Sequence, residues 1–187
     1  MNKRAFTLIE MVVSLGIIIS VTAMFIANYQ SANKRSDLVM TAQELVADLH
    51  SAQSNTLGLA KYNNAVPPGG WGINFDKQTN TYTIFADLNA PEKIGYMQYD
   101  PSTEGVIGYG ARRVVLPARI RIEELRVSSN LTTNLANVTF LPPDPRTNIW
   151  ISGGATSTSL EIKLLDTSSN NFKTVKVNFL GLAEVIN

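Results

Sequence analysis

Phe6-Thr7-Leu8-Ile9-Glu10, continued by an uncharged run from Met11 to Ala27, decides how the rest of the chain is read. From Phe6 to Ala27 there are about 22 residues, enough for a helix to cross a hydrocarbon core about 30 Å thick. Glu10 is the one ionisable side chain in that span. Lys3 and Arg4 precede it, which by the positive-inside rule keeps the N-terminus cytoplasmic, although Lys34 and Arg35 beyond the run balance that bias. Two simpler readings compete. A secretory signal is one, since Val21-Thr22-Ala23 has the small residues of a cleavage site, but hydrophobicity continues through Met24-Phe25-Ile26-Ala27. An uncleaved membrane anchor is the other.

Glu10 separates these readings. A carboxylate at the centre of a spanning helix costs on the order of 2.5–3.5 kcal/mol on insertion scales, so it needs a partner. No cation lies within the run. The amine of a neighbouring copy would serve, provided the chain is cut just before Phe6.

Lys3-Arg4-Ala5 followed by Phe6-Thr7-Leu8-Ile9-Glu10 resembles the leader and cleavage region of type IV pilins and type II secretion pseudopilins. That resemblance implies a prepilin peptidase that cuts between Ala5 and Phe6 and methylates the new amine of Phe6. It also implies that Glu10 pairs with the N-terminal amine of an adjacent subunit. Ala5 stands where the family usually has Gly. Four head segments are similar to the minor subunits of the GspH/FimT type. They are Leu45–Ser54, Gly70-Trp71-Gly72-Ile73, Val138-Thr139-Phe140-Leu141-Pro142 and Val177–Val185. The implied role is to initiate, tip or tune a filament assembled from the inner membrane, with other subunits and the assembly platform as partners.

Past Ala27 the chain turns polar, with no proline or glycine until Gly58. Leu38, Ala42, Leu45, Val46, Leu49 and Ala52 recur at the spacing of an amphipathic helix. The expectation is one helix from about Phe6 to about Leu59, a continuous helix of about 50 residues being about 75 Å long, with residues 6–29 in lipid and 30–60 covering a domain. Beyond it, 61–187 is read as a β-rich head after a five-residue leader, 1–5. Strands are expected at Trp71–Phe75, Thr81–Phe85, Arg119–Val127, Asn137–Phe140, Asn148–Ile151, Leu160–Leu165, Lys173–Phe179 and Ala183–Ile186. Val175, Val177 and Phe179 are expected on one face. The fold class is therefore α+β, a long N-terminal helix packed on a mostly antiparallel sheet.

The composition argues against catalysis. The 187 residues include no cysteine and one histidine, His50, whose neighbour Asp48 cannot face it on a helix. Charged residues make up 17% and the net charge is +1, so no global field draws the chain to nucleic acid. Arg112, Arg113, Arg119 and Arg121 are the candidate local patch, opposed by Glu123 and Glu124. A DNA-binding tip subunit is the alternative function. The C-terminal stretch in which DNA-binding relatives carry arginine reads Gly181-Leu182-Ala183-Glu184 here. Asp87-Leu88-Asn89-Ala90-Pro91-Glu92 offers oxygen ligands but lacks the acidic density of a calcium loop, so no metal or cofactor is expected. Gly153-Gly154 lacks the lysine of a phosphate loop.

Overall fold

Periodicity in the second half of the helix is realised residue by residue. The computed structural model describes residues 7–102, 111–128, 130–141, 146–152 and 154–186, without the side chains of 27–35. Helix α1 runs Leu8–Leu57. Leu38, Ala42, Leu45, Leu49 and Ala52 are all buried, and Val46 is half-buried against the same core. The helix ends in paired bonds, from the Ala60 N–H to the Asn55 carbonyl and from the Leu59 N–H to the Thr56 carbonyl. This termination needs a left-handed residue, and Leu59 takes it at φ 50° although Gly58 is next door. The chain divides into two compact units, residues 1–37 and 38–187. The fold is α+β, one N-terminal apolar helix and antiparallel strands.

The strands of the second unit are β1 (Trp71–Asp76), β2 (Thr81–Ala86), β3 (Arg112–Val115), β4 (Ile120–Val127), β5 (Thr132–Thr133), β6 (Leu135–Leu141), β7 (Arg146–Ile151), β8 (Thr156–Ser157), β9 (Ser159–Asp166), β10 (Asn171–Asn178) and β11 (Ala183–Ile186). They form two sheets, ordered β3-β2-β1-β6-β7-β8 and β11-β10-β9-β4-β5. The single sheet expected from the alternation is thus two, both contributing to one apolar core with the buried stripe of α1. Trp71, Ile73 and Phe75 enter it from β1, Ile120, Ile122, Leu125 and Val127 from β4, and Val175 and Val177 from β10. Phe179 does not join them. It lies in the turn after β10 and is 55% exposed, because that strand ends at Asn178.

Three turns share one construction. The Val127, Ile151 and Asn178 N–H groups donate to the Leu131, Ala155 and Leu182 carbonyls, and Asn130, Gly154 and Gly181 donate back to Val127, Ile151 and Asn178. Asn130, Gly154 and Gly181 all have positive φ, as a type I turn closed by a left-handed residue requires. After two of these turns the chain changes sheet. The bends are held by Thr133, whose hydroxyl donates to the Leu135 carbonyl, and Ser157, whose hydroxyl donates to the Ser159 carbonyl. A further clamp joins the sheets: Asn80 donates to the Ile120 carbonyl at 2.9 Å and accepts from the Ile122 N–H at 2.8 Å.

Candidate assembly interface

Thr7 begins the apolar helix as its N-cap. Glu10 accepts the Thr7 N–H at 3.1 Å and the Thr7 hydroxyl at 3.0 Å, while the Glu10 N–H reaches back to the Thr7 hydroxyl oxygen at 3.3 Å. This reciprocal arrangement is a capping box. It gives Glu10 two neutral donors from the start of its own helix, beside the absence of any cation in the run. Two donors soften its desolvation but bring no positive charge, so the place for a cation beside the carboxyl group is not filled from within the helix.

Leu8–Ile26 is apolar and long enough to cross a membrane, with mean hydropathy 2.3 and none of it buried in the chain itself. Three of its hydroxyls are satisfied within the helix. Ser14, Ser20 and Thr22 donate to the Glu10, Gly16 and Ile18 carbonyls at 2.7, 2.8 and 2.7 Å. Such back-bonding removes the donors that lipid could not satisfy. Gly16 costs roughly 1 kcal/mol against alanine in a helix. A Cβ there would meet nothing of its own chain within 4 Å, so no internal contact accounts for it. Gly16 and Ser20 are four apart, the small-xxx-small spacing that lets a second helix approach closely.

The four candidate arginines are divided between the two sheets. Arg112 and Arg113 lie on β3 of the first sheet, Arg121 on β4 of the second, with Arg119 just before it. Arg112 donates to Asp48 Oδ1 at 2.6 Å, and Arg121 pairs with Glu123 at 2.6 Å. The Arg119 carbonyl accepts the Thr167 N–H. Beyond Arg121 the strand carries a bulge between Ile122 and Glu124. The bulge moves the inward set from Ile120 and Ile122 to Leu125 and Val127, which turns Glu124 and Arg126 outward together.

Asp48, which sequence reasoning dismissed as a neighbour of His50, is the buried hub of a three-element contact. It is 8% exposed, and besides Arg112 of β3 it accepts the Tyr82 hydroxyl of β2 at 2.7 Å. Burial, then the hydrogen bond to Asp48 and the charge of that carboxylate, push the Tyr82 hydroxyl far above the ordinary tyrosine range. His50 is exposed. An acid inside the apolar stripe, between Leu45 and Ala52, was the readable signal.

The Asp87 carboxylate is fully buried and organises the loop after β2, accepting the Asn89 N–H at 2.8 Å and the Met97 N–H. The first is a turn bond and the second closes the loop across ten residues. Among the described residues no three His, Asp or Glu side chains converge as metal ligands would. Asp166 plays a similar part between β9 and β10. The Ser168 hydroxyl holds its carboxyl below the usual aspartate range, helped by the Ser168 N–H, the Ser169 hydroxyl and the Arg119 charge, while burial opposes them. A depressed carboxyl stabilises the fold above its unfolded pKa of about 3.9 and ceases to as pH falls through the folded value. Asp166→Asn should therefore lower the melting temperature at pH 7, and the gap to the parent should narrow below about pH 4.

Ala5 and Phe6, the expected cleavage site and methylated residue, lie outside the described residues. Comparison with protein-family models, curated proteins and solved structures returned no match.

Proposed function

We propose that this chain is a minor pilin or pseudopilin subunit of the GspH/FimT type, cleaved between Ala5 and Phe6 and incorporated into a type IV pilus-like or type II secretion filament. The observation that carries the reading is one capped acid in an otherwise uncharged span: Glu10, held by Thr7, lies near the start of Leu8–Ile26, none of which is buried in its own chain. Such a helix is at home in lipid, and it is equally satisfied by copies of itself. Moving it from the inner membrane into a filament exchanges lipid contacts for helix contacts, so little apolar surface meets water.

Glu10 then sets the axial register, because one carboxylate is best satisfied by one amine at one stagger. The N-terminus is cytoplasmic and the β-rich head extracytoplasmic in this scheme. Prepilin peptidase, the inner-membrane assembly platform and neighbouring subunits are the partners, and the role is not enzymatic. The alternative of a DNA-receiving tip draws little support from arginines split between two sheets and paired with Asp48 and Glu123. A salt-dependent mobility shift on duplex DNA would revive it.

The N-terminal peptide mass of protein purified from its native membrane tests the processing step. A terminus at Phe6 bearing a methyl group is expected. A terminus at Met1 or Asn2 would leave a static anchor, and one near Met24 would make the apolar run a discarded signal.

A further inference from the structure

Among the described residues, each of the two sheets ends on one side in a four-residue strand with a single partner strand. β3, Arg112-Arg113-Val114-Val115, closes the first sheet and pairs among the described residues only with β2. β11, Ala183-Glu184-Val185-Ile186, closes the second and pairs among the described residues only with β10. Their charges are opposite. Glu184 ends a row of alternating sign that crosses the second sheet in register, Arg126 opposite Glu161, Glu161 opposite Lys176 and Lys176 opposite Glu184. Within that row Glu161 holds Arg126 at 3.5 Å and Lys176 at 3.6 Å. Glu184 faces outward at the end of the row, and among the described residues it makes no ion pair of its own. The next place in the alternation belongs to a cation.

β3 supplies one. Its Arg112 is committed to Asp48, but Arg113 is exposed and has no ion-pair partner among the described residues. An antiparallel register that sets Arg113 opposite Glu184 also sets Val115, 70% exposed, opposite Leu182, 55% exposed. Leu182 belongs to a stiff turn. Asn178 Oδ1 accepts the N–H groups of Leu180 and Leu182, and Gly181 lies so close to Gln53 and Thr147 that a Cβ would come within 2.6 Å and 2.9 Å of their side chains. A turn held this way presents its apolar side chains without an ordering cost. Like edges, in contrast, oppose each other. Two copies of β3 would bring arginines together and two copies of β11 would bring glutamates together, which is how edge strands avoid indiscriminate pairing.

We propose that the β3 edge of one copy of this chain pairs with the β11 edge of the next, Arg113 against Glu184, as a head-to-tail contact. Two different surfaces meet in such a contact, so it joins neighbouring copies without closing into a symmetric dimer. The proposal rests on the filament reading for its geometry but adds a strand contact between the β-rich units of neighbouring copies that the apolar helix does not require.

The chain has no cysteine, so an engineered pair reports without background. Full-length Arg113→Cys and Glu184→Cys copies, carrying different tags, are co-expressed in the native membrane, oxidised, and assayed for both disulfides and pelletable assemblies. The expected result is a disulfide between unlike copies. Pelletable assemblies with no disulfide, or with like-to-like disulfides only, would overturn the edge contact and leave the filament reading standing. An unlike disulfide without assemblies would keep the contact and remove the filament, and absence of both would remove both. Glu184→Arg should reduce pelletable protein ~10-fold, and adding Arg113→Glu in the same chain should restore it. Failure of that charge swap to restore would also count against the contact.

Discussion

Glu10→Gln is expected to reduce filament incorporation by at least ~10-fold while leaving membrane insertion and head folding intact. The substitution is chosen because glutamine also serves at the third helical position of a capping box. It can accept the Thr7 N–H and hydroxyl as Glu10 does, so the helix start should survive. What it removes is the charge, and an uncharged amide attracts a neighbouring amine far less than a carboxylate does in a low-dielectric setting. Loss of assembly in this variant therefore assigns the effect to charge pairing and not to helix capping. The converse variant, Thr7→Val, should cost about 1 kcal/mol of local helix stability and keep the anion. Wild-type incorporation of Glu10→Gln would mean that Glu10 does no more than cap its own helix.

Trp71→Ala is expected to destabilise the head by about 3–5 kcal/mol, lowering its melting temperature by roughly 10–20 °C for a unit of this size. Trp71 is 1% exposed and sits where α1 is joined to the first sheet. Its indole N–H donates to the Ala60 carbonyl at 3.2 Å, and its backbone N–H donates to the Thr56 hydroxyl at 3.0 Å. The same Thr56 hydroxyl donates to the Phe140 carbonyl on β6. Tyr62 packs edge-on against the indole with ring centroids 6.3 Å apart. Truncation leaves a cavity under the last turns of the helix and an acceptor without its donor. Leu8–Ile26 shares none of these contacts, so insertion into the membrane should be unchanged. A shift of only a few degrees in calorimetry would mean that the helix is held to the sheet by other contacts.

Much of this architecture can be read from residue order, for identifiable reasons. The buried half of α1 follows from its spacing, because one helix face meets one core. All eight expected strands appear in their expected places, since turn residues bracket them. β3, β5 and β8 escape notice because two to four residues carry too little alternation to stand out. The division into two sheets escapes for a different reason. Alternation is the same in either sheet, and the changes of sheet rest on hydroxyl-held bends at Thr133 and Ser157, which look like ordinary polar loop residues.

The bulge in β4 is legible afterwards in the three-residue step from Ile122 to Leu125, a break in an otherwise two-residue period. At the apolar end of α1, the isolated acid in an uncharged run is visible at once. Its bonds to Thr7 require the capping geometry to be considered as well. The fate of the arginines is the least legible, because Arg112 is claimed by Asp48, a residue from a distant part of the chain.

The most direct test of the central claim is a zero-length carbodiimide cross-link in assembled protein prepared from a mixture of isotopically light and heavy copies. The account predicts an amide between the Phe6 amine of one copy and the Glu10 carboxylate of another, seen by mass spectrometry as light–heavy peptide pairs. Cross-links confined to single chains, or an unmodified Glu10 in assemblies that pellet normally, would contradict it.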